Sequence, residues 1–119
     1  MPDNLIFDLL ENIKDSINLI EERFTEIKKE EDFVSTQDGV TILDAIAMRL
    51  QFIGESVKKI EKIDNSAFKQ YPEIEWDKII QFRNFVSHHY ELLNHQIIYD
   101  ICKNHIPLLK TTIERWLNV

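Results

Sequence analysis

Apolar side chains recur at steps of three and four residues along most of the chain, which is the spacing of an amphipathic α-helix. The N-terminal series is Ile6, Leu9, Leu10, Ile13, Ile17, Ile20, Phe24 and Ile27. The series that follows it is Leu43, Ile46, Leu50, Ile53, Val57 and Ile60. With two glycines and three prolines in 119 residues, the chain has too few turn residues for a β-sandwich or barrel. The pattern therefore predicts an all-α fold.

The ends of these series predict four helices. The expected spans are about 4–27, a start between 35 and 41 with an end near 63, 76 to 90 or 91, and 94–117. A short extra helical turn is expected at 66–70, and Asn94 is expected to cap the last helix. The regular seam of the second helix suits antiparallel packing on the first. We therefore expect residues 1–119 to form one domain, a mostly antiparallel, up-and-down four-helix bundle.

Three residues within the predicted helices carry further expectations. Gly54 costs about 1 kcal/mol relative to alanine inside a helix, so we expect it to allow the close approach of another helix. Pro107 is expected to kink the last helix rather than end it, because the apolar pattern resumes at once. Cys102 lies on the apolar side and is expected in the core. As the single cysteine of the chain, it excludes an intramolecular disulfide.

The charge of the chain argues against a protein that binds nucleic acid along an extended basic surface. The net charge is −7, and residues 1–34 hold ten acidic and four basic side chains. The remainder is close to neutral, which permits a local phosphate site but no long nucleic-acid track. The stretch Glu26–Asp32 is expected to be a solvated linker. No apolar run approaches a membrane span and no basic signal-peptide start is present, so a cytoplasmic protein without a membrane association is expected.

The segment from Arg83 to Tyr90 gathers a guanidinium, an amide, a hydroxyl, two imidazoles and a phenol within eight residues. On a helix, Arg83 and Ser87 lie four residues apart on one face, as do Asn84 and His88. Arg83 and His88 are about 140° apart around the helix axis. A phosphate would therefore have to bridge the two side chains.

These residue types suit phosphodiester cleavage without a metal ion. A ribose 2′-hydroxyl can attack its adjacent phosphate when a base removes its proton and an acid protonates the leaving oxygen. Histidine suits both steps because its pKa lies near neutrality. Arginine remains charged and donates two parallel hydrogen bonds to a phosphorane. Asn84 can orient the phosphate or the imidazole.

A purely structural interpretation accounts for the same side chains. Arg83 would pair with a nearby carboxylate such as Asp77 or Glu91, while His88 and His89 would interact with the C-terminus of their helix. A metal site formed by His88, His89 and Glu91 is disfavoured, because adjacent helical histidines point about 100° apart. No metal and no cofactor are expected.

The same segment resembles the Arg-x4-His-x-Tyr signature of HepT-like toxins, a family of the HEPN superfamily, through Arg83, His88 and Tyr90. Residues 71–80, YPEIEWDKII, are similar to the connection that leads into the third helix of that family. Residues 53–56, IGES, resemble its mid-helix glycine–glutamate step. The resemblance covers nearly the whole chain and implies a HEPN-like helical bundle.

HepT-like proteins are homodimeric ribonucleases that are encoded with an MntA-type nucleotidyltransferase, as a type VII-like toxin–antitoxin pair. The resemblance implies a metal-independent site at the dimer interface, where Arg83 would stabilise the phosphorane and His88 would move the proton. Asn84 and Ser87 would support this site. Tyr90 would be the residue to which the nucleotidyltransferase transfers AMP from ATP.

The expected function is therefore that of an endoribonuclease toxin that acts on single-stranded or loop RNA, such as transfer RNA, and not on DNA. A function of another class stays open, namely a non-catalytic HEPN module that binds a nucleotide or regulates its nucleotidyltransferase partner. The chain departs from the family pattern at His89, where glycine is common. It also lacks the glycine and aspartate often found in the segment after Tyr90, here residues 91–94.

Overall fold

Helices form almost all of the structure, which is a computed structural model that describes residues 4–118. The five α-helices are α1 (Asn4–Phe24), α2 (Gln37–Ile63), α3 (Trp76–His89), α4 (His95–Asp100) and α5 (Ile106–Leu117). A π-helical turn, Ile101–His105, joins α4 and α5 into one long helical element. Single 3-10 turns occupy Glu30–Phe33, Ala67–Gln70 and Tyr90–Leu92. No strand occurs within residues 4–118, so the predicted all-α bundle of four helical elements is confirmed.

The core lies between α1, α2 and α5, where the apolar faces predicted from the sequence meet. Fully buried isoleucines from α1 and α2 dominate this core: Ile13, Ile17, Ile20, Ile46 and Ile60. Burial of each such side chain contributes roughly 1.5–3 kcal/mol to folding. The hydroxyl of Thr36 accepts a hydrogen bond from the Gly39 backbone N–H at 2.9 Å, which fixes the start of α2. In the part of the chain that the structure describes, no helix is long and apolar enough to span a bilayer.

The connection between α1 and α2 differs from the solvated linker that the charged sequence predicts. α1 ends at Phe24 rather than at Ile27, and the Thr25 hydroxyl donates a hydrogen bond to the Glu22 carbonyl there. Ile27 and Phe33 are both buried in the core. The Asp32 carboxylate accepts hydrogen bonds from the backbone N–H groups of residues 28 and 29. These bonds, above all the one from residue 28, lower the pKa of Asp32. The turn is therefore ordered by its own backbone and by two apolar anchors.

The C-terminal element contains a π-helical turn just before Pro107, where the sequence predicts a kink, and the helix continues beyond the proline as expected. The π-turn at Ile101–His105 directly precedes Pro107, which has no N–H and whose ring clashes with the carbonyl of Lys103 in a regular α-helix. The Asn94 side chain accepts hydrogen bonds from the backbone N–H groups of residues 96 and 97, which confirms it as the cap of α4. Cys102 is buried as predicted, and this burial raises the pKa of its thiol to about 12.

An aromatic cluster fixes the entry into α3. Trp76 at the start of α3 donates a hydrogen bond from its indole N–H to the Tyr71 carbonyl at 2.9 Å. Its ring stacks on Phe68, and Tyr71 stacks on Trp116 of α5. The first turn of α3 is thereby held against α5, while α3 as a whole packs mainly on α2.

Candidate active site

Three polar side chains of the Arg83–Tyr90 segment contact polar side chains of α2. The pairs are Glu55–Arg83, Gln51–Ser87 and Asp44–Tyr90. Residue numbers rise along α3 as they fall along α2, so the two helices are antiparallel. The polar contacts form a row along the groove between these helices, and we refer to the six residues as the α2–α3 polar row.

Arg83 lies at a close approach of α2 and α3. A Cβ atom added to Gly54 would lie 2.9 Å from the Arg83 Cγ and 3.2 Å from the Ile79 carbonyl oxygen, and closer still to the Arg83 Cβ. A side chain at position 54 would therefore displace the stem of Arg83 or separate the helices. The predicted role of Gly54 in close helix approach is confirmed.

The guanidinium of Arg83 is held at two of its three nitrogens. Its Nη1 donates to the Asn84 Oδ1 at 3.0 Å, and its Nη2 donates to the Glu55 Oε1 at 3.4 Å. The Nε is buried without a hydrogen-bond partner. Since each Nη carries two hydrogens and uses one, one N–H on each remains for a ligand. The side chain is 26% exposed, so solvent reaches it.

His88 has a different environment from Arg83, although both belong to α3. It is exposed, and within residues 4–118 it makes no side-chain hydrogen bond or ion pair. Both ring nitrogens are therefore open to a ligand from solvent. His88 and His89 do lie in the last turn of α3, where the helix dipole favours a positive charge. The structural interpretation names the wrong partners for Arg83, however, since its carboxylate is Glu55 and neither Asp77 nor Glu91.

Asn84 and Ser87 are the chain neighbours of the two candidate catalytic residues, Arg83 and His88. The Ser87 hydroxyl accepts a hydrogen bond from the Gln51 Nε2 at 3.0 Å and keeps its own O–H free to donate. Asn84 uses its carbonyl oxygen on Arg83, which leaves its amide N–H groups for another acceptor. Both residues can therefore donate hydrogen bonds to an anion that reaches Arg83 or His88.

Tyr90 begins the 3-10 turn that follows α3 and is tethered to α2. Its hydroxyl donates a hydrogen bond to the Asp44 carboxylate, while the side chain stays 45% exposed. Partial burial, together with the hydrogen bond to Asp44 and the negative charge of that carboxylate, raises the pKa of Tyr90 to about 12. The hydroxyl is therefore protonated at neutral pH. His89 does not share this polar environment, since its ring contacts Phe85 at a centroid distance of 5.5 Å.

Over the described range 4–118, no group of three or more His, Cys, Asp or Glu side chains is arranged to hold a metal ion. His88, His89 and Glu91 therefore do not form the disfavoured cluster. His105 lies 3.3 Å from Asp100 on the exposed surface of the π-turn.

Asp44, Gln51 and Glu55 are the residues of the α2–α3 polar row that motif reasoning on α3 does not identify. The signal that could have found them is their spacing of seven and four residues, which places them on one face of α2. Only Glu55 belongs to the glycine–glutamate step singled out from the sequence. The row therefore depends on α2 as much as on the signature segment.

Comparisons with known proteins give a matching family and several relatives. The family model described as "Ribonuclease HepT-like" matches residues 13–116. The chain is 31% identical over 108 residues to "Probable ribonuclease HepT" of Thermococcus cleftensis, which covers 91% of this chain and 92% of the relative. It is 32% identical over 103 residues to "Putative RNase MJ0127" of Methanocaldococcus jannaschii, covering 86% of this chain and 75% of the relative. No solved structure gives a significant match.

Proposed function

The chain belongs to the HepT-like ribonuclease family, and on this premise we propose that it is a metal-independent endoribonuclease of the HEPN type with Arg83 and His88 as catalytic residues. One observation carries the proposal. Arg83 is held by α2 with an N–H free on each Nη, and an unpaired, exposed His88 lies five residues further along the same helix. A phosphate between them would meet a fixed positive charge on one side and a proton-transfer group on the other.

The proposed reaction is a transphosphorylation within the RNA strand. The ribose 2′-oxygen bonds to the adjacent phosphorus, the bond from phosphorus to the 5′-oxygen breaks, and a 2′,3′-cyclic phosphate and a 5′-hydroxyl result. The imidazole of His88 transfers the proton, either from the 2′-hydroxyl or to the 5′-oxygen. Arg83 donates its two free N–H groups to the phosphorane oxygens, whose charge grows in the transition state. Asn84 and Ser87 support the phosphate with further hydrogen bonds.

Unpaired RNA is the proposed substrate, with the loops of transfer RNA as a specific candidate and DNA excluded by its lack of a 2′-hydroxyl. In-line attack requires that the 2′-oxygen rotate to face the leaving oxygen, which a stacked duplex backbone opposes. The net charge of −7 further favours an RNA that contacts the protein only around the site over one that binds along an extended basic surface. We place this activity in the cytoplasm, where its RNA substrate is found.

A homodimer of this single domain, residues 1–119, is part of the proposal. Only Trp76 and Val86 of α3 are buried in the isolated chain. Several large apolar side chains on α2 and α3 remain exposed, among them Met48, Phe52 and Phe85. A second copy packed over these side chains would cover them and bring two Arg83–His88 sets to one cleft.

The mechanism predicts the chemistry of the RNA ends. Purified protein incubated with a single-stranded RNA oligonucleotide in EDTA is expected to give fragments that end in 2′,3′-cyclic phosphate, identified by mass spectrometry. The matched control is the same oligonucleotide with a single 2′-deoxyribose at the mapped cut site, which should stay intact there. Cleavage of the deoxy control, or a strict requirement for a metal ion, would contradict the mechanism. Intact RNA under all conditions would favour the non-catalytic module that binds a nucleotide or regulates a nucleotidyltransferase.

We further propose that the protein is the toxin of a pair in which an MntA-type nucleotidyltransferase modifies Tyr90 with AMP. The phenolic oxygen would bond to the α-phosphorus of ATP and pyrophosphate would leave, while the phenolic proton passes to a base. Asp44 already accepts that proton in a hydrogen bond. The added phosphate places negative charge next to a site that must receive the phosphate of RNA, and like charges repel.

This modification is testable by intact-mass measurement. Incubation with an MntA-type enzyme, ATP and Mg²⁺ is expected to raise the mass in steps of one AMP and to abolish RNA cleavage. Tyr90→Phe should abolish the mass increase. Tyr99→Phe is the matched control, because the Tyr99 hydroxyl is also held by a hydrogen bond, at 3.2 Å from the Lys28 carbonyl oxygen, but lies outside the α2–α3 polar row. An unchanged mass increase in Tyr90→Phe would show that Tyr90 is not the acceptor.

A further inference from the structure

Glu55 is the carboxylate that contacts the Arg83 guanidinium from the opposite helix. The Glu55 Oε1 lies 3.4 Å from the Arg83 Nη2, and the two side chains are 35% and 26% exposed. An ion pair this accessible to water adds little to folding stability. A negative charge beside a phosphate site also opposes the binding of an anion. Neither stability nor substrate affinity therefore explains a glutamate at this position.

We propose that Glu55 is a positioning residue that fixes the orientation of the Arg83 guanidinium for phosphate binding, an inference that rests on the proposed ribonuclease function. The stem of Arg83 is fixed by its contact with Gly54, where no side chain fits. The side chain still has rotatable bonds between this contact and the guanidinium. A fixed stem therefore does not by itself fix the direction in which the two free N–H groups point.

The two hydrogen-bond acceptors of the guanidinium lie on different helices. Asn84 follows Arg83 directly on α3 and accepts from Nη1, so this pair moves with its own helix. Glu55 belongs to α2 and accepts from Nη2, so it alone among the hydrogen-bond partners ties the end of the side chain to the second helix. The buried Nε has no partner that could replace it. The plane of the guanidinium is thus defined across the helix interface by Glu55.

Removal of Glu55 is expected to affect turnover and not substrate binding. Glu55→Ala should lower kcat for RNA cleavage by about 10-fold to 100-fold, since small misplacements of a catalytic group have effects of this size. KM should stay equal or fall, because a negative charge near the phosphate is removed. Glu55→Gln keeps an oxygen acceptor and should retain most of the wild-type kcat. Glu61→Ala is the matched control, a half-buried glutamate of α2 without a hydrogen bond or ion pair in residues 4–118.

A double-mutant cycle separates positioning from a general structural effect. In an Arg83→Ala background, Glu55→Ala should cause no further loss of kcat, since the group that it positions is gone. An equal loss in both backgrounds would overturn the proposal. So would a Glu55→Ala variant with wild-type kcat.

A spectroscopic measurement tests the same inference without any RNA. Side-chain NMR of wild-type protein should show resolved Nη resonances for Arg83, assigned by their loss in Arg83→Lys, because a held guanidinium rotates slowly. Glu55→Ala should average these resonances, and Glu61→Ala should leave them resolved. If Arg83→Ala retains full RNA cleavage, the proposed function fails while this measurement still decides the role of Glu55. Resolved resonances in Glu55→Ala would refute the positioning role itself.

Discussion

Replacement of Arg83 by alanine is expected to reduce kcat/KM for RNA cleavage by about 10³-fold, which is the scale for loss of a charged donor to a developing oxyanion. The change removes the two N–H groups that remain free after the contacts with Asn84 and Glu55. The partly exposed ion pair with Glu55 adds little to stability, but loss of the packed Arg83 stem should lower the free energy of unfolding by about 1 kcal/mol. Initial rates on a single-stranded RNA and a thermal unfolding curve of the same preparation measure both quantities.

Arg83→Lys distinguishes the shape of the guanidinium from its charge. Lysine keeps the positive charge but lacks the planar pair of donors, so most of the loss seen with alanine should persist. The control is Arg115→Ala, which removes another arginine that pairs with a glutamate, at 3.2 Å from Glu73. This control should cleave RNA at the wild-type rate per folded molecule. Full activity in Arg83→Ala would rule out the proposed site.

The fold follows from the sequence because each long helix buries one continuous apolar face. The series from Ile6 to Ile20 and from Leu43 to Ile60 are the buried faces of α1 and α2. The Asn94 cap is equally local, since an asparagine side chain bonds to backbone groups two and three residues away. Such features depend on neighbours in the chain, so a single sequence suffices to predict them.

The errors arise where backbone contacts depend on the tertiary fold. Ile27 continues the apolar period of α1, yet the helix ends at Phe24 and the side chain enters the core from the following turn. The apolar period cannot show whether Ile27 belongs to the helix or to the turn after it, because its side chain is buried in either arrangement. Pro107 predicts a kink but not its form, and the π-turn at residues 101–105 is one of several ways to accommodate the ring.

The candidate site likewise contains residues that the sequence predicts and a contact that depends on the tertiary fold. Arg83, Ser87 and His88 are found from their spacing on one helix, whereas the partner of Arg83 lies 28 residues earlier in the chain. Local reasoning favours Asp77 or Glu91, since both are near Arg83 in sequence. The choice of Glu55 depends on the register between α2 and α3, which Gly54 sets by allowing their close contact. Register between helices is a property of packing and is not contained in the pattern of either helix alone.

Replacement of His88 by alanine is expected to lower kcat by about 10³-fold, within the usual range for loss of a general acid or base. The imidazole is exposed and unpaired within residues 4–118, so its removal leaves no buried group without a partner. Stability should therefore stay at the wild-type value, and activity alone should fall. The measurement is the single-turnover rate of RNA cleavage, which does not depend on the rate of product release.

Exposure of His88 also makes the loss reversible by added imidazole. Since solvent reaches the vacated position, imidazole in the reaction buffer should restore part of the rate of His88→Ala in proportion to its concentration, and should not restore Arg83→Ala. His89→Ala is the matched control, because the neighbouring histidine is also exposed but contacts Phe85. It should retain activity within about threefold, the scale of an ordinary surface substitution. If His89→Ala loses activity as His88→Ala does, the proton transfer cannot be assigned to His88 alone, and the second imidazole at the position where the family often has glycine becomes part of the mechanism.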